Sequence, residues 1–257
     1  MTQKKQTPKE KITKALHNSV HFILQGKGGV GKSFIASLLC QYFQANDLSL
    51  FAFDTDQENQ TLAGYSMLHA RKISVKDGSH TIDVKGFDKL IESLLVEEGT
   101  FLVDTGANTF SPMLAYMTEN EVIEFLVENG KKVYIHTVVG GGDVLADTAN
   151  GFNSIALNSE NASVILWMNE HFGKMETAEG KLFTETKVYK DNKEKLAGIV
   201  SLPQRNKQTF GDDILRLNTK RLTVAEAMES TDFTIMEKQR IKNVARDVFT
   251  QLEQINF

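Results

Sequence analysis

Eight consecutive residues set the terms for the whole chain: Gly26-Lys27-Gly28-Gly29-Val30-Gly31-Lys32-Ser33. They satisfy the spacing G-x-x-x-x-G-K-[ST], follow an apolar run directly and open a stretch of helical period. A chain of this length meets the bare spacing by chance about once in a hundred. Strand, loop and helix in that order make a merely flexible turn a poor explanation. The glycines let the backbone wrap closely, so that successive N–H groups and the start of the next helix face phosphate oxygens. Lys32 brings a point charge to the outer phosphates, and Ser33 offers a hydroxyl to Mg²⁺. A nucleotide-phosphate loop is expected from Gly26 to Ser33, with Phe34 following it.

Continuous apolar runs at 20–24, 50–53, 101–103, 133–137, 164–168 and 196–201, with a weaker one at 73–75, alternate with longer segments of helical period. Runs of that kind are strands buried on both faces, so the pattern predicts one α/β domain with a mostly parallel sheet and helices on both sides. Ligands then bind at the edge formed by the strand C-terminal ends. Ser111-Pro112 reads as a helix start, Gly130 as a left-handed helix end, and Thr223/Glu226 and Thr234/Glu237 as capping boxes. Beyond Thr234, the residues Ile241, Val244, Ala245, Val248, Phe249, Leu252 and Ile255 form one apolar stripe, predicted to pack on the core rather than on a membrane.

A length of 257 residues with 41 % hydrophobic and 24 % charged residues suits a single core, assigned to 19–257. Residues 1–18, with Lys4, Lys5, Lys9, Lys11 and Lys14, read as a flexible basic tail. The net charge of −4 gives no whole-protein reason to bind DNA or an anionic membrane. The one cysteine, Cys40, excludes an internal disulfide, reads as a small core residue and fits a reducing, cytoplasmic compartment. No run is long enough to span a membrane.

Carboxylates gather at the predicted ligand edge. Asp54 and Asp56 leave a strand end on the same side, suited to one metal–water cluster, and Asp104 ends another apolar run. Asn169 closes a later strand, and its amide can both donate and accept, as recognition of an adenine edge requires. Pro203 and Gln204 follow the last strand. Gly140-Gly141-Gly142-Asp143 reads as a glycine turn with Asp143 as a helix cap, and the six histidines show no metal-ligand spacing.

With Lys27 in second place the loop reads GKGGVGKS, which resembles the deviant Walker A motif of the ParA/MinD family of P-loop ATPases. That resemblance implies ATP and Mg²⁺ as ligands, and a homodimer in which Lys27 reaches across to the partner's phosphates. It also implies that Lys32 acts on the phosphates in catalysis, that Asp54 belongs to the Mg²⁺ neighbourhood with Ser33, and that Asp56 positions the attacking water. Asp104 would hold Mg²⁺ through water, with Asn169 and Pro203 lining the base pocket. Gln57-Glu58-Asn59-Gln60 departs from the Pro-Gln-Gly-Asn that family members often carry. HFILQGKGGVGKS, VYIHTVVGGGDVLADT and FTIMEKQRIKNVARDVF further resemble the TraL proteins of conjugative plasmids, from about residue 19 to the C-terminus. The implied function is a slow, partner-stimulated ATPase and dimerisation switch, working with a protein of the conjugative transfer or partition machinery. A non-hydrolysing nucleotide-binding scaffold and a P-loop metabolic enzyme are the alternatives.

Overall fold

The computed structural model describes residues 8–75, 83 and 85–257. Seven strands, β1 (Ser19–Ile23), β2 (Leu50–Asp54), β3 (Arg71–Lys72), β4 (Thr100–Asp104), β5 (Lys132–Gly140), β6 (Ser163–Asn169) and β7 (Leu196–Leu202), form one sheet in the order β3-β2-β4-β1-β5-β6-β7. Every pairing is parallel. The chain forms a single α/β domain, as the alternation of apolar runs predicts.

The helices are α1 (Pro8–Leu16), α2 (Lys32–Ala45), α3 (Lys85–Val96), α4 (Ala107–Glu119), α5 (Val122–Glu128), α6 (Leu145–Leu157), α7 (Lys187–Asn192), α8 (Asp212–Lys220), α9 (Val224–Glu229) and α10 (Ile235–Leu252). Successive strand residues point to opposite faces. Ile23, Leu102 and Trp167 pack with Leu38 and Leu39 of α2 and Val248 and Leu252 of α10. Phe22, Val103 and Ile135 pack on the other face with Phe87 of α3, Met113 of α4 and Ile123 of α5. Cys40 is buried in the first of these layers, where burial pushes its thiol pKa up.

Both capping boxes are present, and Gly130 has φ 79°. Three expectations need correction. The edge strand is Arg71–Lys72, not 73–75; both residues are exposed, so no apolar run marks them. α4 begins at Ala107, not after Ser111, and carries Pro112 inside it, where the missing N–H forfeits only the bond to the Asn108 carbonyl. Within the tail expected over 1–18, residues 8–16 are helical. Leu16 is completely buried, and its carbonyl accepts the Ser19 and Thr100 hydroxyls at 2.5 and 2.9 Å. Residues 1–7, with Lys4 and Lys5, lie outside the described residues.

The stripe of α10 is buried at Ile241, Val244, Ala245, Val248 and Leu252. Phe249 meets Tyr42 edge-on at 5.4 Å. Leu252→Ala should therefore lower the unfolding free energy by about 2–5 kcal/mol in urea titrations, as truncation of a fully buried leucine does.

One polar chain crosses the core. Trp167 Nε1 lies 3.0 Å from His136 Nδ1, His136 Nε2 lies 2.9 Å from His21 Nδ1, and His21 Nε2 lies 3.0 Å from Ser19 Oγ. An indole N–H only donates, so each imidazole in turn accepts at Nδ1, donates at Nε2 and stays neutral. Burial lowers the pKa of both rings, that of His136 to about 3; for His21 the nearby His136 adds to the effect. The unfolded chain takes up protons near the ordinary histidine pKa of 6.5, which the folded chain refuses. This contribution to stability is full above that pH and is lost as the pH falls toward the folded values. The expected slope reaches about 1.4 kcal/mol per pH unit for each ring. Denaturant midpoints between pH 7 and 5 test it, with a shallower slope expected in His136→Gln.

Candidate nucleotide site

The phosphate loop joins the end of β1 to the first residue of α2. Gly29 and Gly31 hold φ of 74° and 100°, the left-handed region that side chains disfavour. At Gly26 a Cβ would come within 2.8 Å of the Phe110 ring. Lys32, only 7 % exposed, curls over the loop, and its Nζ donates to the Lys27 carbonyl at 3.1 Å. Burial lowers its pKa, and the charges of Asp104 and Asp56 work against that.

Two cavities meet here. One, of about 650 Å³, is lined by Gly26, Gly28, Lys32, Ser33, Asp56 and Asn108. The other, of about 310 Å³, is lined largely by apolar groups, among them Phe172, Leu202, Pro203, Phe210 and Ile214, with Asn169. They share Gly29, Gly31 and Phe34. A polar compartment beside the phosphate loop thus adjoins an apolar one suited to a flat base.

Asp54 and Asp104 are register partners at the tips of β2 and β4. Asp104 is completely buried, and among the described residues neither carboxylate oxygen has a hydrogen-bond partner. Burial pushes its carboxyl up to about 7, which the nearby Ser33 hydroxyl and Lys32 ammonium offset only in part. A buried carboxylate left so is one that a cation would satisfy. Mg²⁺ commonly takes one or two carboxylates and completes its shell with phosphate oxygens and water, and Asp104 with Ser33 fits that set. Among the described residues there is no group of three or more His, Cys, Asp or Glu arranged to hold a metal.

Asp54 is already engaged. Its Oδ1 accepts the Asp56 N–H at 3.0 Å and its Oδ2 the Ala63 N–H at 2.9 Å, so it holds the loop that follows β2. Burial raises its pKa, against the pull of those N–H groups. Asp56 sits against Gly106, where a Cβ would lie 2.8 Å from its Cγ, and its Oδ1 accepts the Glu58 and Asn59 N–H groups at 2.9 and 3.1 Å. Among the described residues no hydrogen bond reaches its other oxygen.

Lys27 points away from the loop toward α6, its Nζ 2.7 Å from Asp147 Oδ2, with both side chains exposed. Asn169 binds the loop itself: Nδ2 donates to the Val30 carbonyl at 3.1 Å and Oδ1 accepts the His171 N–H at 3.1 Å. It lines the apolar cavity with part of its amide already committed. The cap expected of Asp143 is absent, since α6 follows Val144 with no side-chain cap. The three glycines serve close packing instead. The Gly141 and Gly142 N–H groups bond the Asn169 and Lys174 carbonyls at 3.0 and 2.9 Å, and a Cβ on either would overlap the backbone of 172–174.

Several site residues gave no signal in the sequence: Asp147, Asn108, Glu58, Phe172, Phe210 and Arg205. Arg205 lies over the Phe210 ring at 4.8 Å and pairs with Asp247 at 2.6 Å. Asp147 sits within VYIHTVVGGGDVLADT and Glu58 within Gln57-Glu58-Asn59-Gln60, but neither stretch marks its residue as part of a site, and the fold brings the six to one edge.

The family model for the CobQ/CobB/MinD/ParA nucleotide binding domain matches residues 21–253. Two Escherichia coli proteins, each named Protein TraL, are 37 % identical to this chain over 235 residues, 91 % of this chain and 97 % of theirs. Among solved structures, the MinC:MinD cell division protein complex of Aquifex aeolicus matches with a TM-score of 0.48 and 17 % identity, over 90 % of this chain and 96 % of that one. A plasmid partition protein from Borrelia burgdorferi matches with a TM-score of 0.41 and 12 % identity, over 79 % of this chain and 95 % of that one. The resemblance to the TraL proteins is thus borne out over most of the chain. The chain belongs to the CobQ/CobB/MinD/ParA nucleotide-binding domain family, of which ParA/MinD proteins are part.

Proposed function

We propose that this chain binds ATP with Mg²⁺ and hydrolyses it slowly as a two-subunit switch, in conjugative transfer or plasmid positioning, through a protein partner. The observation that carries the reading is Asp104, a buried carboxylate with two oxygens unpartnered among the described residues, near Lys32, which itself lines a cavity that meets an apolar pocket. Kinship with Protein TraL supports the setting in transfer.

In this reading the loop N–H groups and the start of α2 cradle the β- and γ-phosphates, and Lys32 supplies their counter-charge. Mg²⁺, when bound, spreads the charge that develops between those phosphates. Asn169 and Pro203 border the base. Asp56 lines the phosphate cavity, where it orients the attacking water. Lys27 leaves Asp147 and extends to a second subunit's phosphates. An exposed ion pair contributes about 0–1 kcal/mol, so a triphosphate displaces it readily. The product of the cycle is a timed change in affinity for the partner.

Phosphate release separates this from the scaffold reading. Wild-type protein should turn over ATP in the presence of Mg²⁺, and Asp56→Ala should bind ATP while turning it over about a hundredfold or more slower. Binding without turnover in the wild type, with or without partner proteins, would instead mark a scaffold.

A further inference from the structure

Gln25 stands one residue before the phosphate loop, outside the G-x-x-x-x-G-K-[ST] spacing. It is nonetheless only 1 % exposed, and its carboxamide reaches three separate elements. Nε2 donates to the Val138 carbonyl of β5 at 2.7 Å and to the Thr148 carbonyl of α6 at 3.1 Å. Oε1 accepts the Lys27 N–H at 3.3 Å. Only one amide orientation works: turned over, the NH₂ would face an N–H and the oxygen would face two carbonyls. α6 makes room for the group with Gly151, where a Cβ would overlap Oε1 and lie 3.0 Å from both Cδ and Nε2.

Thr148 adjoins Asp147, whose carboxylate holds the Lys27 ammonium at 2.7 Å. Lys27 is therefore tied to α6 twice, by its backbone through a buried amide and by its side chain through an exposed ion pair. The two ties differ in permanence. Phosphate oxygens compete for an exposed ammonium, while an enclosed carboxamide with all its partners in place has nothing to exchange with.

We infer that Gln25 is a positioning residue: it fixes the Lys27 peptide against α6 and so sets the direction in which that lysine leaves the loop. The inference rests on the reading of Lys27 as the group that acts on a second subunit's phosphates. Gln25 lies behind the loop and acts only through Lys27.

Gln25→Ala tests this in the full chain, with Gly151→Ala as a second variant that displaces the amide without removing it. In nucleotide-free protein, hydrogen exchange at the Lys27 amide should rise about tenfold or more in both variants, while exchange within β5 stays as in wild type. With ATP and Mg²⁺, the dissociation constant should stay within about threefold of wild type, while kcat falls roughly tenfold to a hundredfold, the usual effect of a misdirected group. The double variant should be no worse than Gln25→Ala, because the added methyl then has nothing to displace. Unchanged exchange at Lys27 would overturn the inference whatever the turnover. Exchange that rises equally throughout β5 would make Gln25 a structural residue only, and overturn it too. Faster Lys27 exchange with normal turnover, in assays where Lys27→Ala is impaired, would overturn the directing role and leave the reading of Lys27 standing. Normal turnover in Lys27→Ala itself would sink that reading, independently of the exchange result.

Discussion

Replacing Lys32 with alanine is expected to weaken ATP binding by about 10- to 100-fold in calorimetry with Mg²⁺, because a charge-assisted contact to phosphate contributes roughly 1.5–3 kcal/mol. The ammonium is positioned for this before any nucleotide arrives: it is buried, it donates to the loop's own Lys27 carbonyl, and it lies near Asp104 and Asp56. Truncation also leaves those two carboxylates without their nearest cation, which adds electrostatic repulsion against the triphosphate. The fold should survive, since α2 keeps Ile35, Ala36, Leu38 and Leu39 buried. Unchanged ATP affinity in a folded Lys32→Ala protein would remove the loop from the site.

Lys27→Ala is expected to do the reverse, keeping ATP affinity near wild type while turnover falls by about a thousandfold, the scale on which a cation supplied in trans assists phosphoryl transfer. The structure separates the two lysines in kind. Lys32 is enclosed within its own loop, whereas the Lys27 side chain is exposed and pairs with the surface carboxylate of Asp147. Steady-state turnover beside equilibrium nucleotide binding checks the split, and a fall in affinity matching the fall in turnover would place Lys27 in its own subunit's site.

What the sequence made legible was whatever is local. Phosphate recognition needs its glycines, lysine and serine in one unbroken stretch, so Gly26 to Ser33 could be read directly. Parallel strands buried on both faces leave continuous apolar runs, so the major strands were visible, while the exposed pair Arg71–Lys72 was not. α1 was hidden because its two anchoring residues, Ile12 and Leu16, lie among lysines. Asp54 was seen as a carboxylate at a strand tip, but its bond to the Ala63 N–H, nine residues on, was not. Gln25, Asp147 and Asn169 come together because β5 lies beside β1 and β6 beside β5, an order that no run of residues spells out.

Sedimentation velocity of the wild-type chain, with Mg²⁺ and either ATP or ADP, tests the two-subunit site most directly. A dimer with ATP and a monomer with ADP is the expected result, with Lys27→Ala monomeric in both. A wild-type chain that stays monomeric at saturating ATP and Mg²⁺ would contradict it.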